Sequence, residues 1–220
     1  MNIAALYPLA SGPLVWFSVT FFFAGCTYQV IHFLRLTRPK PPPAALPTQP
    51  VRLVETVLRH TIGFTWPGKE KSLALVSLFF HAVLVLIPLF LLGHNIMLRN
   101  AIGLSLFSLP EIVADRLTVL LLLCALFFLL RRLLIRRVRR LTSFYDYWVL
   151  GLAIAPFATG FLAYHQILPY QTILTLHMLC GELMLIAIPF TKLSHMIFYF
   201  LNRFLLGTEY SAGPGKRTFS

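Results

Sequence analysis

Apolar residues dominate five stretches of the chain, at roughly 13–35, 72–95, 117–136, 147–164 and 172–202. Each matches the length a helix needs to cross a hydrocarbon core about 30 Å thick. None shows the period-two alternation of a barrel strand, and only helices or closed barrels satisfy every backbone hydrogen bond in lipid. The pattern therefore predicts an all-α membrane protein, a bundle of five transmembrane helices. Between Pro50 and Phe64 the apolar positions Val51, Leu53, Val54, Val57, Leu58 and Ile62 recur at helical spacing with basic residues between them. That is the pattern of a short interfacial helix. It follows a run containing Pro39, Pro41, Pro42, Pro43 and Pro47, which favours extended chain.

The polar positions supply the orientation, because basic residues stay on the cytoplasmic side of a span. Arg35, Arg38, Lys40, Arg52, Arg59, Lys69 and Lys71 lie between the first two spans. Arg131, Arg132, Arg136, Arg137, Arg139 and Arg140 close the third, and Arg203, Lys216 and Arg217 follow the fifth. The loop between spans two and three carries Arg99 and Arg116 against Glu111 and Asp115, and the loop after span four carries no Lys or Arg. The N-terminus is expected in the periplasm and the C-terminus in the cytoplasm, in the inner membrane of a bacterium. The expected organisation is a membrane domain over residues 1–206, including the cytoplasmic proline-rich loop and interfacial helix at 37–71, and a flexible cytoplasmic tail over 207–220.

Composition narrows the function. Of 220 residues, 58% are hydrophobic and 12% charged, too little polar surface for a water-soluble enzyme and too much apolar surface for a disordered chain. The 19 Lys and Arg against 7 Asp and Glu do not point to nucleic acid, because they flank the apolar runs. Cys26, Cys124 and Cys180 all lie within apolar runs and no Cys-x-x-Cys-His occurs, so free thiols are expected and covalent haem attachment is not. No nucleotide, flavin or iron-sulfur motif is present. Any redox chemistry then needs partner subunits.

The candidate chemistry is in the histidines, which are costly inside a span and need partners there. His81 and His94 fall on the second run, His177 and His195 on the fifth. Because these spans run antiparallel, His81 and His195 share the cytoplasmic level and His94 and His177 the periplasmic one. Eighteen residues separate His177 from His195, five turns and about 27 Å of an ideal helix, which puts both rings on one face. The thirteen residues from His81 to His94 would turn the second ring about 140° away, unless Pro88 between them kinks or rewinds the helix. Facing imidazoles at two depths suit two haem b groups, each iron six-coordinate and fit for electron relay. Arg131, Arg132 and Lys192, near the inner level, could neutralise propionates or simply snorkel. His32 and His165 have more water available, and His60 reads as a surface residue. The bland alternative is that these rings bond neighbouring carbonyls or relay protons in a haem-free anchor or transporter subunit.

The run His177-Met-Leu-Cys-Gly181, followed by Pro189-Phe-Thr-Lys-Leu-Ser-His195-Met, resembles the last helix of respiratory nitrate reductase gamma-subunit-like cytochromes b, and Gly93-His94 resembles the end of that family's second helix. The chain's length and its Pro88 to His94-Asn95 segment look closer to the small cytochrome b subunits of the Hmc, Tmc and Dsr-type transmembrane redox complexes of sulfate-reducing bacteria. The resemblance implies His81 and His195 on an inner haem and His94 and His177 on an outer one. It further implies electron exchange between menaquinone, a cytoplasmic iron-sulfur subunit and, in some assemblies, periplasmic multihaem cytochromes c.

A quinone is best accommodated at the outer level. Gly93 permits close approach, His94, Asn95 and Arg99 could contact a quinone oxygen, and Tyr164 and His165 lie on the same side. Each is equally compatible with interfacial structure. Glu182, the carboxylate within the fifth run, is a proton-relay candidate or a hydrogen-bond partner for another helix. The basic cytoplasmic face suits anionic lipid and could dock an acidic iron-sulfur partner.

Overall fold

The computed structural model describes residues 3–37 and 71–202. The proline-rich loop, the interfacial helix with His60 and the tail over 207–220 lie outside the described residues. Those described are all-helical, without strands. After a short helical lead (Ile3–Leu6 and Tyr7–Ala10), the elements are α1 (Pro13–Leu36), α2 (Lys71–Phe90), α3 (Leu92–Ile102), α4 (Glu111–Leu134), α5 (Arg136–Leu141), α6 (Phe144–Tyr164) and α7 (Tyr170–Ala187). The 3-10 turns Ile188–Phe190 and Lys192–Ser194 then lead into a last helix, α8, over residues 195–202. Helices α1, α2, α4 and α6, and α7 extended to Phe190, are long and apolar enough to cross a membrane. The chain is a multi-pass membrane protein. Phe17 and Phe23 on α1, Leu75 and Leu78 on α2, Leu123 on α4, Trp148 on α6 and Leu183 on α7 remain exposed. Such side chains face lipid, which is as apolar as they are.

Helix starts follow local chemistry. Pro110 precedes α4, whose first turn carries Glu111 against the positive end of the helix dipole. This draws the helix six residues earlier than the apolar run at 117, because Asp115 and Arg116 are tolerated near the helix end. At α6, Ser143 and Asp146 form a capping box in which the Ser143 backbone N–H donates to Asp146 Oδ2 at 2.8 Å.

Two of the five runs are broken where hydropathy alone reads them as continuous. The run at 72–95 ends as α2 at Phe90, passes through an extended Leu91 (φ −74°, ψ 132°) and resumes as α3. Pro88 lacks the N–H that would hold the last turn in register. The run at 172–202 ends its α-helix at Ala187, and Thr191 is extended (φ −120°, ψ −175°) after Pro189. The Thr191 hydroxyl accepts the Leu193 N–H at 3.2 Å to begin the next turn. His195 thus lies beyond a break, and the five-turn phase relation between His177 and His195 holds only for an uninterrupted helix that this chain does not form.

The described residues divide into two compact units, 3–19 with 75–185, and 20–37 and 71–74 with 186–202. The first has a core of Phe80, Val83 and Ile87 from α2, Leu121 and Ala125 from α4, and Phe157 from α6. In lipid such a core is held by close van der Waals packing more than by exclusion of water. In the second unit, Gly25 of α1 lies against the ring of Pro189, where an added Cβ would come within 2.7 Å of Cγ. Gln29 donates to the Pro189 carbonyl at 2.7 Å, and Phe21 and Phe33 pair with Phe190 and Phe198. The break at Pro189 is therefore a fixed feature of this unit, with its freed carbonyl satisfied by a side chain.

Candidate functional site

Within the first unit, α3 and α7 bring His94 and His177 together. Their rings are nearly parallel, at 7°, with centroids 5.9 Å apart. The extended Leu91 interrupts the helix between His81 and His94, so the rotation of an unbroken helix does not apply between them. It also frees carbonyls at the end of α2. His94 Nδ1 lies 2.9 Å from the Pro88 carbonyl oxygen, and the Leu109 N–H donates to Phe90 at 2.8 Å. His177 Nδ1 lies 2.8 Å from the carbonyl oxygen of Pro156 on α6. A carbonyl only accepts, so both rings donate from Nδ1 and carry their lone pair on Nε2. Burial pushes His94 below the ordinary histidine value, against a weaker opposing effect of its Pro88 bond, which favours the neutral, lone-pair-bearing form.

This arrangement has the donor set of a two-ligand metal site. Two imidazoles on opposite sides of one metal, with bonds of about 2 Å and ring centres roughly 1 Å behind each nitrogen, stand about 6 Å apart, against about 5 Å at a tetrahedral angle. Nδ1–H bonded to a backbone carbonyl is also the usual outer support of a ligating histidine, since it fixes tautomer and ring orientation. Among the described residues no group of three or more His, Cys, Asp or Glu side chains converges. Two neutral imidazoles with tied Nδ1 atoms could serve as two nitrogen donors to a metal or a metal-bearing cofactor.

The inner-level histidines show the same support individually. His81 Nδ1 donates to the Ser77 carbonyl at 2.7 Å and His195 Nδ1 to the Lys192 carbonyl at 2.7 Å. His81 belongs to the first unit and His195 to the second. Arg132 donates to the Asp146 carbonyl at 2.8 Å, tying the end of α4 to the start of α6, and Arg131 beside it is half-buried. Lys192 is exposed.

The quinone candidates divide. Gly93 is exposed, with open space where a Cβ would stand, and Arg99 and Tyr164 are exposed as well. His165 Nε2 pairs with Asp115 Oδ1 at 2.9 Å, joining α6 to α4. Asn95, only 3% exposed, is committed at both ends of its amide: Nδ2 donates to Ser108 Oγ and the Phe107 carbonyl, and Oδ1 accepts the Leu106 N–H. It latches the irregular 103–110 segment against α3. Glu182 is 5% exposed, and neither carboxyl oxygen meets a hydrogen-bond partner among the described residues. Burying an unpaired carboxylate is expensive, which sets this residue apart from ordinary packing.

Sequence reasoning passed over Pro156, Thr159, Gly160 and Asp115. The available signal was Pro156 and Gly160 one turn apart in an otherwise apolar helix, a spacing that marks one patch of helix surface for close approach.

A protein of Nitratidesulfovibrio vulgaris (strain Hildenborough) is 39% identical to this chain over 221 residues, covering 97% of each. The chain belongs to that protein's family. With nearly all of both chains covered, the kinship extends over the described spans and both compact units. No family model matches the chain, and no solved structure matches it.

Proposed function

We propose that the chain is a dihaem b-type cytochrome subunit of a membrane-bound respiratory complex, similar to the nitrate reductase gamma-like cytochromes b and closest to the small subunits of Hmc, Tmc and Dsr-type assemblies. The observation that carries this reading is the His94 and His177 pair, two parallel imidazoles 5.9 Å apart with both Nδ1 atoms tied to carbonyls. The family relative comes from a sulfate-reducing bacterium. His94 and His177 would hold the outer group, and the resemblance alone assigns His81 and His195 to an inner one. When bound, haem b supplies a one-electron couple with no open iron position.

The protein's own residues do the rest. Carbonyl-anchored imidazoles resist reorientation between redox states, and the apolar helices keep water from the site. Arg131 and Arg132 would offer positive charge toward propionates, a role the sequence reading also gives to Lys192. Gly93, Arg99, Tyr164 and the His165–Asp115 pair form the side on which menaquinone is met, where the imidazole can take up a quinol proton. Glu182 carries protons inward of His177. The excess of Arg and Lys on three loops puts the N-terminus in the periplasm and the C-terminus in the cytoplasm of a bacterial inner membrane. There the basic face meets anionic lipid and an iron-sulfur subunit, with periplasmic multihaem cytochrome c on the other side.

Protein purified with its partners and reduced with dithionite is expected to show a low-spin b-type α-band and about two haems per chain. A preparation that retains its partners and carries no haem overturns the proposal in favour of a haem-free anchor or transporter subunit. Glu182→Gln removes the ionisable group while preserving shape. It is expected to leave haem content unchanged and to slow quinol-driven haem reduction at least tenfold in stopped-flow absorbance. An unchanged rate removes Glu182 from the proton path.

A further inference from the structure

Gly160 stands where α6 meets the ring of His177. A Cβ added there would lie 3.0 Å from His177 Cε1 and 3.1 Å from Nδ1, but 3.8 Å from Nε2. The imidazole therefore rests its Nδ1–Cε1 edge on the bare backbone of Gly160 and keeps Nε2 turned farther from it. One helical turn earlier, the Pro156 carbonyl accepts from the same Nδ1 at 2.8 Å. Thr159 Oγ1, which donates to the Ala155 carbonyl at 2.7 Å, stands 3.5 Å from Nδ1. Carbonyl, hydroxyl and missing side chain make a notch shaped to one edge of one ring. Glycine is a poor helix former, so its place in mid-helix calls for a reason. Space for a generic neighbour does not supply one: Gly151 on the same helix and Gly181 on α7 have nothing within 4 Å of an added Cβ.

We propose that Gly160 is the positioning residue for the His177 ligand, setting the ring plane that lies parallel to His94. This rests on the reading of the pair as axial haem ligands. An imidazole ring is rigid and His177 is anchored through α7, so a methyl group at 160 displaces the ring by a few tenths of an ångström or tilts it. Either change lengthens the Pro156 bond and breaks the 7° alignment with His94. Parallel and crossed axial imidazoles split the iron orbitals differently, so the orientation is readable in the ferric spectrum.

In the complex purified with its partners, Gly160→Ala is expected to change the low-temperature EPR signal of one of the two haems and shift one step of the potentiometric titration. The other haem and a Gly151→Ala control should match the unaltered protein. Gly160→Ala with both EPR signals and both potentials unchanged overturns the inference, while the dihaem reading stands. A second measurement needs no haem. If the clash is with the ring, the loss of melting temperature caused by Gly160→Ala should vanish, or reverse, in a His177→Ala background, since alanine is the better helix former. An equal loss in both backgrounds places the role of Gly160 elsewhere and overturns the inference. Should Gly160→Ala alone fail to accumulate, the double variant is expected to accumulate as well as His177→Ala does. An unaltered complex without haem sinks the dihaem proposal and leaves the ring-dependent clash to be judged by the melting experiment.

Discussion

His94→Ala and His177→Ala are each expected to remove the same haem, about half of the total, and the double variant is expected to remove no more than either alone. The non-additivity is the substance of the prediction. Two groups that act as one ligand pair show nearly the full loss when either is deleted, because the remaining imidazole cannot hold a six-coordinate iron in a dry slot. If the resemblance holds for the inner level, His81→Ala and His195→Ala form the second such set, each sparing the outer haem. Combining one variant from each set, His177→Ala with His195→Ala for example, should then strip both. Haem per chain, measured as the pyridine adduct on protein purified with its partners, reads the result directly. Separate losses from His94→Ala and His177→Ala that add in the double variant would mean that the rings serve different groups, and the 5.9 Å pairing would lose its functional meaning.

The existence of five spans was legible because lipid demands an uninterrupted apolar length, and that length is written in residue order. Their ends were less so. Proline and a single extended residue break α2 from α3 at Leu91 and end α7 before Thr191, yet both runs remain apolar enough to cross a membrane. Depth counting brought His94 and His177 to one level despite this, since a single extended residue alters rise little. Phase counting does not carry across such a break, because one extended residue rotates everything after it. The partners that orient the rings could not be read at all. The Pro156 carbonyl lies 21 residues before His177, on another helix, and every residue has a carbonyl. Asn95 illustrates the converse. As a polar residue beside His94 it suggested ligand contact, and only the fold reveals that its amide is spent on Leu106, Phe107 and Ser108.

Asn95→Leu is accordingly expected to lower the stability of the first unit by about 3 kcal/mol, and to do so by freeing the 103–110 segment. The substitution keeps most of the volume and deletes one acceptor and two donated bonds. It leaves the Leu106 N–H without its acceptor and the Ser108 hydroxyl and Phe107 carbonyl without a donor; a fully buried group so orphaned costs about 1–3 kcal/mol, and these bonds are part-buried, so each contributes toward the lower end. The segment begins at the turn on Gly103, whose φ of 75° a side chain would resist, so once its latch is lost this end of it is free to move. Hydrogen exchange at the Leu106 amide should accelerate by at least a hundredfold while amides in the middle of α4 keep their protection. Because His94 precedes Asn95 in the first turn of α3, loosening this latch should also weaken retention of the outer haem and spare the inner one. Asn95→Asp separates the parts: it retains the acceptor for Leu106 and loses the donors, so exchange at Leu106 should fall between those of the unaltered protein and Asn95→Leu. Unchanged exchange at Leu106 in Asn95→Leu, with slowed quinol-driven haem reduction, would instead return Asn95 to the quinone site.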